Sequence, residues 1–347
     1  MAHDQPDHLH RMVKALDCDG VGFYIHIDNK VKLSTFRPEM LEKENVHFLR
    51  TRVDIQWMGF SQVEAILMLM QEALMQEASR FDYCVLLSGS DYPIKSNSFI
   101  RKFFETSDKE FIAFWRLEDR PSWKPKIEYF YPIDLVPICG HSKGIEKSYW
   151  RRLFWGRFFK YQWLMPKRSY MAGMIPYGGS EWWMLSYGCV AYVLRFVQEN
   201  PRFVSFYRYT HSADEMFFQS IILNSEWARR VQNFNAYVEW RSVTSNEDKI
   251  KGNSMLAEDS FNLRYIDWSG EKTGKRETPA ILDERDWHNI RDSSDLFARK
   301  FHPIRSARVL DLIDQELLRV RSASSATSLG GSLEMWSSAY RVAPDVG

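Results

Sequence analysis

Cysteine is scarce and scattered: Cys18, Cys84, Cys139 and Cys189 form no C-x-x-C pair and no dense set. That excludes a disulfide-stapled fold and favours reduced thiols in a cytosolic protein. Long apolar runs are also missing, and none approaches the roughly 20 residues that a membrane-spanning helix needs. No basic-then-apolar leader opens the sequence, so the expected location is cytoplasmic, with contact to a membrane surface left open. Neither charge predominates: 46 Lys and Arg face 45 Asp and Glu, a formal net charge of +1. No global field therefore draws the chain to nucleic acid. Walker loops, G-x-G-x-x-G, G-x-S-x-G and the protein-kinase set are absent, as are internal repeats.

What is present is bulk and aromatic surface. The 347 residues suffice for a sizeable core, and 45% hydrophobic with 26% charged content is ordinary for a globular protein. Aromatic residues make up 15%, with 13 Trp; such rings suit sugar faces, although most Trp and Phe serve as core. Periodicity predicts a helix over Asp7 to Leu16 and a strand over Val21 to Ile27. A helix capped by Ser61 runs to Ala78, a strand follows from Phe81 to Leu87, and a helix starts at Asn97 or Ser98. With a strand over Phe111 to Trp115, the alternation predicts an α/β layered domain with a mainly parallel sheet. From Glu118 to Tyr177 the pattern dissolves into Pro, Trp, Tyr and Arg. Beyond it, helices are expected over Cys189 to Glu199, Asp214 to Ser225 and Ala307 to Val320, and a strand over Leu263 to Trp268. A surface loop is expected over Trp240 to Lys251, and disorder after Ser322.

In open α/β sheets ligands bind beyond the carboxyl ends of the strands. Two predicted strands end in carboxylates there, Ile27-Asp28 and Leu87-Ser88-Gly89-Ser90-Asp91. Gly89 lets backbone approach a ligand, and Pro93 stiffens the turn that aims Asp91. An Asx-type turn or helix cap is the plainer account of Asp91. Asp214-Glu215 falls at a predicted helix start, where the helix dipole alone favours acids; a catalytic role there requires a desolvated site. Arg299-Lys300, framed by Phe297 and Phe301, suits a diphosphate. Asp17-Cys18-Asp19 has the acid-x-acid form of a metal motif but lies at a helix end before any strand. His3, His8, His10 and His26 lack zinc spacing.

Taken together and in order, several segments resemble the core-2/I-branching β-1,6-N-acetylglucosaminyltransferase family (glycosyltransferase family 14), which also holds the peptide O-xylosyltransferases. They are Ala2-His3 with Pro6, Tyr24 to Asp28, Leu87 to Ile94, Gly179 to Ser186, Asp214 to Phe218, Leu263 to Trp268 and Phe297 to Phe301. Phe217 to Ile221 and Asn224-Ser225 lean toward a xylosyltransferase-like bacterial branch. The resemblance implies a GT-A-like fold with a Rossmann-type, mainly parallel sheet flanked by helices. It implies one catalytic domain over residues 1–321, with a nucleotide-sugar half over 1–117 and an acceptor half over 118–321, and a tail over 322–347. It also implies a UDP-sugar donor, a glycan or hydroxylated acceptor, inversion by a single displacement, and no metal or other cofactor. Family members ordinarily carry an apolar strand before Ala2-His3, so the chain is expected to begin inside that junction, by a late start or as a fragment.

By the same resemblance, Glu215 or Asp91 is the general base, and His3 and Asp28 sit near the uridine. Ser88 and Gly89 border the donor, with Gly89 making room for it, and Lys300 neutralises the diphosphate with Arg276 or Lys275 as a poorer match for its partner. The chemistry agrees: one carboxylate must take the acceptor proton, and fixed cations or a metal must meet the charge on departing UDP. Two rival readings stay open: an inactive carbohydrate-binding protein that keeps the fold, and a metal-dependent transferase. Trp115, Trp123, Tyr129, Tyr131, Trp150, Trp155 and Trp163 lie where an acceptor groove is expected, amid Arg151, Arg152, Arg157, Lys160, Lys167 and Arg168.

Overall fold

Helix α1 (Pro6–Leu16) starts on proline, which needs no hydrogen-bond partner in a first turn, and buries Leu9, Met12 and Val13 as its periodicity predicts. The structure is a computed structural model that describes residues 1–75, 81–135, 161–164, 166–245, 259–270 and 277–318. After α1 the chain forms β1 (Phe23–Ile25), paired in parallel with β2 (Val46–Phe48). Ala2 runs parallel to Ile27: its N–H reaches the His26 carbonyl at 3.0 Å, and its own carbonyl accepts from Asp28 at 2.9 Å. On the other side the Met1 carbonyl accepts from Gly89 N–H at 2.8 Å. These bonds set Asp28 and the Ser88–Asp91 turn side by side.

The remaining ladders are mixed. In one sheet β3 (Tyr83–Val85) and β5 (Phe111–Ile112) flank β8 (Trp183–Ser186), both antiparallel to it. In another, β10 (Phe297–Arg299) pairs antiparallel with β4 (Tyr92–Pro93) and parallel with β9 (Arg264–Ile266). A last antiparallel pair joins β6 (Trp115–Arg116) to β7 (Tyr177–Gly178). The mainly parallel sheet read from the sequence is therefore not what these ladders form: late strands return antiparallel between early ones. The strand expected over Phe111 to Trp115 is split, because buried Ala113 and Phe114 carry the chain from β8 across to β7. At that crossing a Cβ on Gly179 would lie 1.8 Å from the Ala113 carbonyl oxygen, so only glycine fits.

Helix α2 (Ser61–Met75) buries Val63, Ile66, Leu69 and Met70, and packs with the helix Tyr187–Glu199. Ser61 was expected to cap it. Instead the Asp134 carboxylate accepts from Phe60 N–H at 2.7 Å, Ser61 N–H at 3.2 Å and Ser61 Oγ at 2.6 Å. Helix α3 (Asn97–Thr106) is capped by Ser96, and the short α4 (Lys124–Glu128) follows β6. The helix expected from Asp214 is broken: a 3-10 turn over Ala213–Glu215 ends at Met216, and regular helix covers only Phe217–Leu223. The loop expected from Trp240 is helical as far as Val243, in Phe234–Val243, where Tyr237 is anchored in the core. The C-terminal helix Ala307–Leu312 continues as a π-helical segment, Ile313–Leu318. No helix among the described residues is long and apolar enough to cross a membrane. Ala78, Cys139, Trp150, Trp155, the basic residues from Arg151 to Lys160, Lys251 and the tail beyond Ser322 lie outside the described residues.

Candidate active site

The Ser88–Asp91 turn is built from its own backbone. Asp91 carboxylate accepts the Ser88 N–H, Asp91 N–H reaches the Ser88 carbonyl at 3.3 Å, and Ser90 N–H bonds Ser88 Oγ at 3.1 Å. Arg264 on β9 brings Nε to 3.2 Å from Asp91 Oδ1, and neither side chain has any exposed surface. Arg264 also donates Nη2–H to the Leu86 carbonyl at 2.8 Å, so it ties the turn to the strand before it. Burial lowers the proton affinity of its guanidinium, and Asp91 opposes that effect. The space beside Gly89 belongs to the protein: a Cβ there would sit 2.9 Å from the Ala2 Cβ. The close approach of Ala2 is thus itself enough to require glycine at position 89.

At the neighbouring edge Asp28 is buried but already engaged. Its carboxylate accepts from Lys30 N–H at 2.9 Å and Lys30 Nζ at 2.8 Å. Next to it His26 Nε2 accepts the Val53 N–H at 2.9 Å, and burial drives its imidazole down to about 4. His3 is mostly exposed, with Nε2 3.8 Å from Asp4.

Three carboxylates form a second group and act on one another electrostatically. Glu215, on the 3-10 turn before the helix Phe217–Leu223, keeps a third of its side chain exposed and pairs with Lys126 Nζ at 2.9 Å. The Glu215 carbonyl accepts from Gly179 N–H at 2.8 Å, which fastens this turn to the segment leading into β8. Glu181 lies on that segment. Its carboxyl is pushed up by burial, an effect opposed by Gln62, which donates at 2.9 Å, and by Arg299, and reinforced by Glu215. Asp214 is buried with Oδ1 unpartnered, and its carboxyl is held well above the ordinary range by burial, then by Glu181 and Glu215.

Two cations close the arrangement. Arg299 lies 4.5 Å from the centroid of the Trp182 ring, with Nε 3.9 Å from Asp91 Oδ1, beyond hydrogen-bonding range. Arg264 lies 5.1 Å from the same indole. Among the described residues neither the Arg299 guanidinium nor the Lys300 ammonium makes a hydrogen bond to protein. Lys300 is fixed through its backbone, whose carbonyl accepts from Leu282 N–H at 2.9 Å, and the next residue, Phe301, donates to the Ser90 carbonyl at 2.9 Å.

The expected residues thus meet in part. Ser88, Gly89 and Asp91 share one turn, which Arg299 approaches through Asp91 and the chain after Lys300 meets through Phe301, while the Lys300 ammonium acts on Glu277; Asp28 borders the turn through Ala2. Glu215 connects to this group electrostatically through Glu181. Arg276 and Lys275 lie outside the described residues. Asp17 is occupied by Lys43 and by Asn45, whose amide donates at 3.1 Å, so the acid-x-acid stretch closes a helix end. Sequence reasoning missed Glu181, Arg264 and Lys126 as site residues, and met Arg299 only as half of the basic pair with Lys300. Glu181 and Arg264 stood inside segments already picked out, and the usable signal was a charged residue inside otherwise apolar strand sequence.

Comparison with known proteins adds an independent line. The model of a family described as Core-2/I-Branching enzyme matches residues 3–291. Xylosyltransferase oxt of Drosophila melanogaster is 24% identical over 344 residues, covering 96% of this chain and 34% of that protein. Xylosyltransferase 2 of Mus musculus is 25% identical over 348 residues, covering 98% of this chain and 35% of its own length. For xylosyltransferase 2 of Homo sapiens the figures are 24% over 320 residues, 89% and 32%. The chain spans about a third of the length of these relatives.

Proposed function

Because the chain belongs to the Core-2/I-Branching enzyme family, we propose that it is a glycosyltransferase using a UDP-sugar. The sugar, xylose or N-acetylglucosamine, passes to a hydroxyl of a saccharide or other acceptor with inversion. The fold we assign is GT-A-like, with a nucleotide-sugar half over 1–117 and an acceptor half over 118–321. In the single step the acceptor oxygen forms a bond to the anomeric carbon as the bond to UDP breaks, and the acceptor proton moves to a carboxylate. That carboxylate is Glu215, which is partly exposed and held beside a cation. Asp91, sealed from solvent against Arg264, holds the turn in shape. The charge on departing UDP meets Lys300 and, in place of the expected Arg276, Arg299. Asp28 and His3 border the uridine. No metal is needed in this scheme, and chelation is expected to leave the rate unchanged.

The observation that carries the reading is the Arg299 guanidinium over the Trp182 ring, without a protein hydrogen bond among the described residues and electrostatically coupled to Glu181, which is coupled in turn to Glu215. A specific feature favours Glu181 as the base instead: its raised proton affinity and its place between Glu215 and Arg299. UDP release from UDP-xylose and UDP-N-acetylglucosamine, with and without acceptor, tests both. Glu215→Gln is expected to lose about 100-fold or more in turnover while UDP still raises the melting temperature. A far larger loss in Glu181→Gln would move the base there. Background rates equal in parent and both variants, with no response to UDP, would instead favour an inactive carbohydrate-binding protein.

A further inference from the structure

Lys126 is the cation that meets Glu215, and it is fixed from several sides. Its ammonium lies 3.5 Å from the centroid of the Trp123 ring; Trp123 meets Trp115 edge-on at 4.8 Å, and Arg120 lies 3.7 Å from the Trp115 centroid. The Lys126 carbonyl accepts from His211 N–H at 3.1 Å, which ties α4 to the segment entering the Glu215 turn. On β7 a Cβ at Gly178 would fall 2.9 Å from Trp115 Nε1 and 3.1 Å from Trp123, so both indoles pack closely against the strand. An ordinary surface ion pair loses much of its worth to side-chain disorder. Here the lysine stem and head are held before the carboxylate arrives.

The other groups around Glu215 offer no such support. Asp214, from the same turn, and Glu181, from the segment before β8, are acids whose own proton affinities burial has raised. His211 is driven down to about 4 by burial and then by Lys126, so it is neutral under working conditions. Arg299 on β10 acts on Glu181. Among the described residues, Lys126 alone forms an ion pair with Glu215.

We propose that Lys126 is a positioning residue: it holds the Glu215 carboxylate beside a fixed positive charge, aimed so that it can take the acceptor proton. The proposal rests on the reading of Glu215 as base. Without the cation, Glu215 is left among acids and a neutral imidazole, and losing a neighbouring positive charge disfavours the ionised form of any carboxylate. The arrangement deepens the proposed mechanism by naming what readies the base before any acceptor binds.

The test compares the parent with Lys126→Met, Lys126→Gln and Lys126→Arg, each first checked for cooperative thermal unfolding. In the two neutral variants kcat should fall roughly tenfold near neutral pH, with KM for the UDP-sugar unchanged. The acid limb of kcat/KM should move to higher pH, and Lys126→Arg should restore both. A loss equal at every pH, a limb moved to lower pH, or no rescue by Arg overturns the proposal. A second readout needs no turnover: proton NMR of His211 in the ligand-free protein. Its titration should rise from about 4 in Lys126→Met and stay in place in Lys126→Arg; an unmoved titration overturns the electrostatic reach claimed for Lys126. Equal turnover in the parent and Glu215→Gln would remove the base assignment, and the proposal with it. A Glu215-dependent rate with an unmoved acid limb would remove the proposal alone.

Discussion

Removing one partner of a buried ion pair strands the other, and Asp91 with Arg264 is such a pair. Asp91→Asn is therefore expected to destabilise the fold by about 3–5 kcal/mol in urea titrations. A double variant, Asp91→Leu with Arg264→Met, should recover much of that loss. An Asp91→Asn protein of parental stability that nonetheless fails in turnover would return Asp91 to the chemistry. The residue scale is also where the sequence is hardest to read. Asp91 stood out because it follows an apolar strand and a glycine turn. Whether a carboxylate in that position faces a ligand or a buried arginine depends on Arg264, far along the chain and unmarked by any spacing rule. Glu215 was legible as an acid near a helix start, but it is set apart from that helix at Met216, where the backbone leaves helical geometry; its own turn is entered through the left-handed Ser212, whose N–H is held by the Met58 carbonyl at 2.9 Å.

Helices were easier to read than their ends. Apolar periodicity gave α1 nearly to the residue and the start of α2, because a helix face is a local property of the sequence. The cap of α2 is not local. Ser61 has the right chemistry for an N-cap, yet Asp134 takes the role and Ser61 Oγ donates to it. Asp134→Ala should cost about 1–2 kcal/mol, measurable as a lower thermal midpoint, whereas Ser61→Ala should cost less. If Ser61→Ala proves the worse lesion, the assignment of the cap is wrong. The first turn of α2 also carries Gln62, whose amide steadies Glu181, so weakening of this cap should be felt at the candidate site as well.

Over the whole molecule, buried titratable groups set how stability responds to acid. His26 has a folded value of about 4 against an ordinary value of 6.5. Its contribution is therefore complete above pH 6.5 and is lost as pH falls toward 4, because the unfolded chain takes up a proton that the folded one refuses. Asp295, raised to about 6 by burial, works in the opposite direction over an overlapping range, as do Glu110, Glu181 and Asp214. The parental curve should thus be shallow. Measured against His26→Gln, the parent should lose up to about 3 kcal/mol of relative stability between pH 6.5 and 4; parallel curves would refute the assignment.

The topology of that molecule was legible as α/β layering, but its strand order was not, since pairing across long separations leaves no periodic trace. β8 lies between β3 and β5, although both of those strands precede it in the chain. During synthesis, residues 113–182 must be made before either neighbour gains its shared companion. Through that interval two apolar edges wait bare, ready to bind any other extended segment. Slower translation between β5 and β8 would prolong that interval.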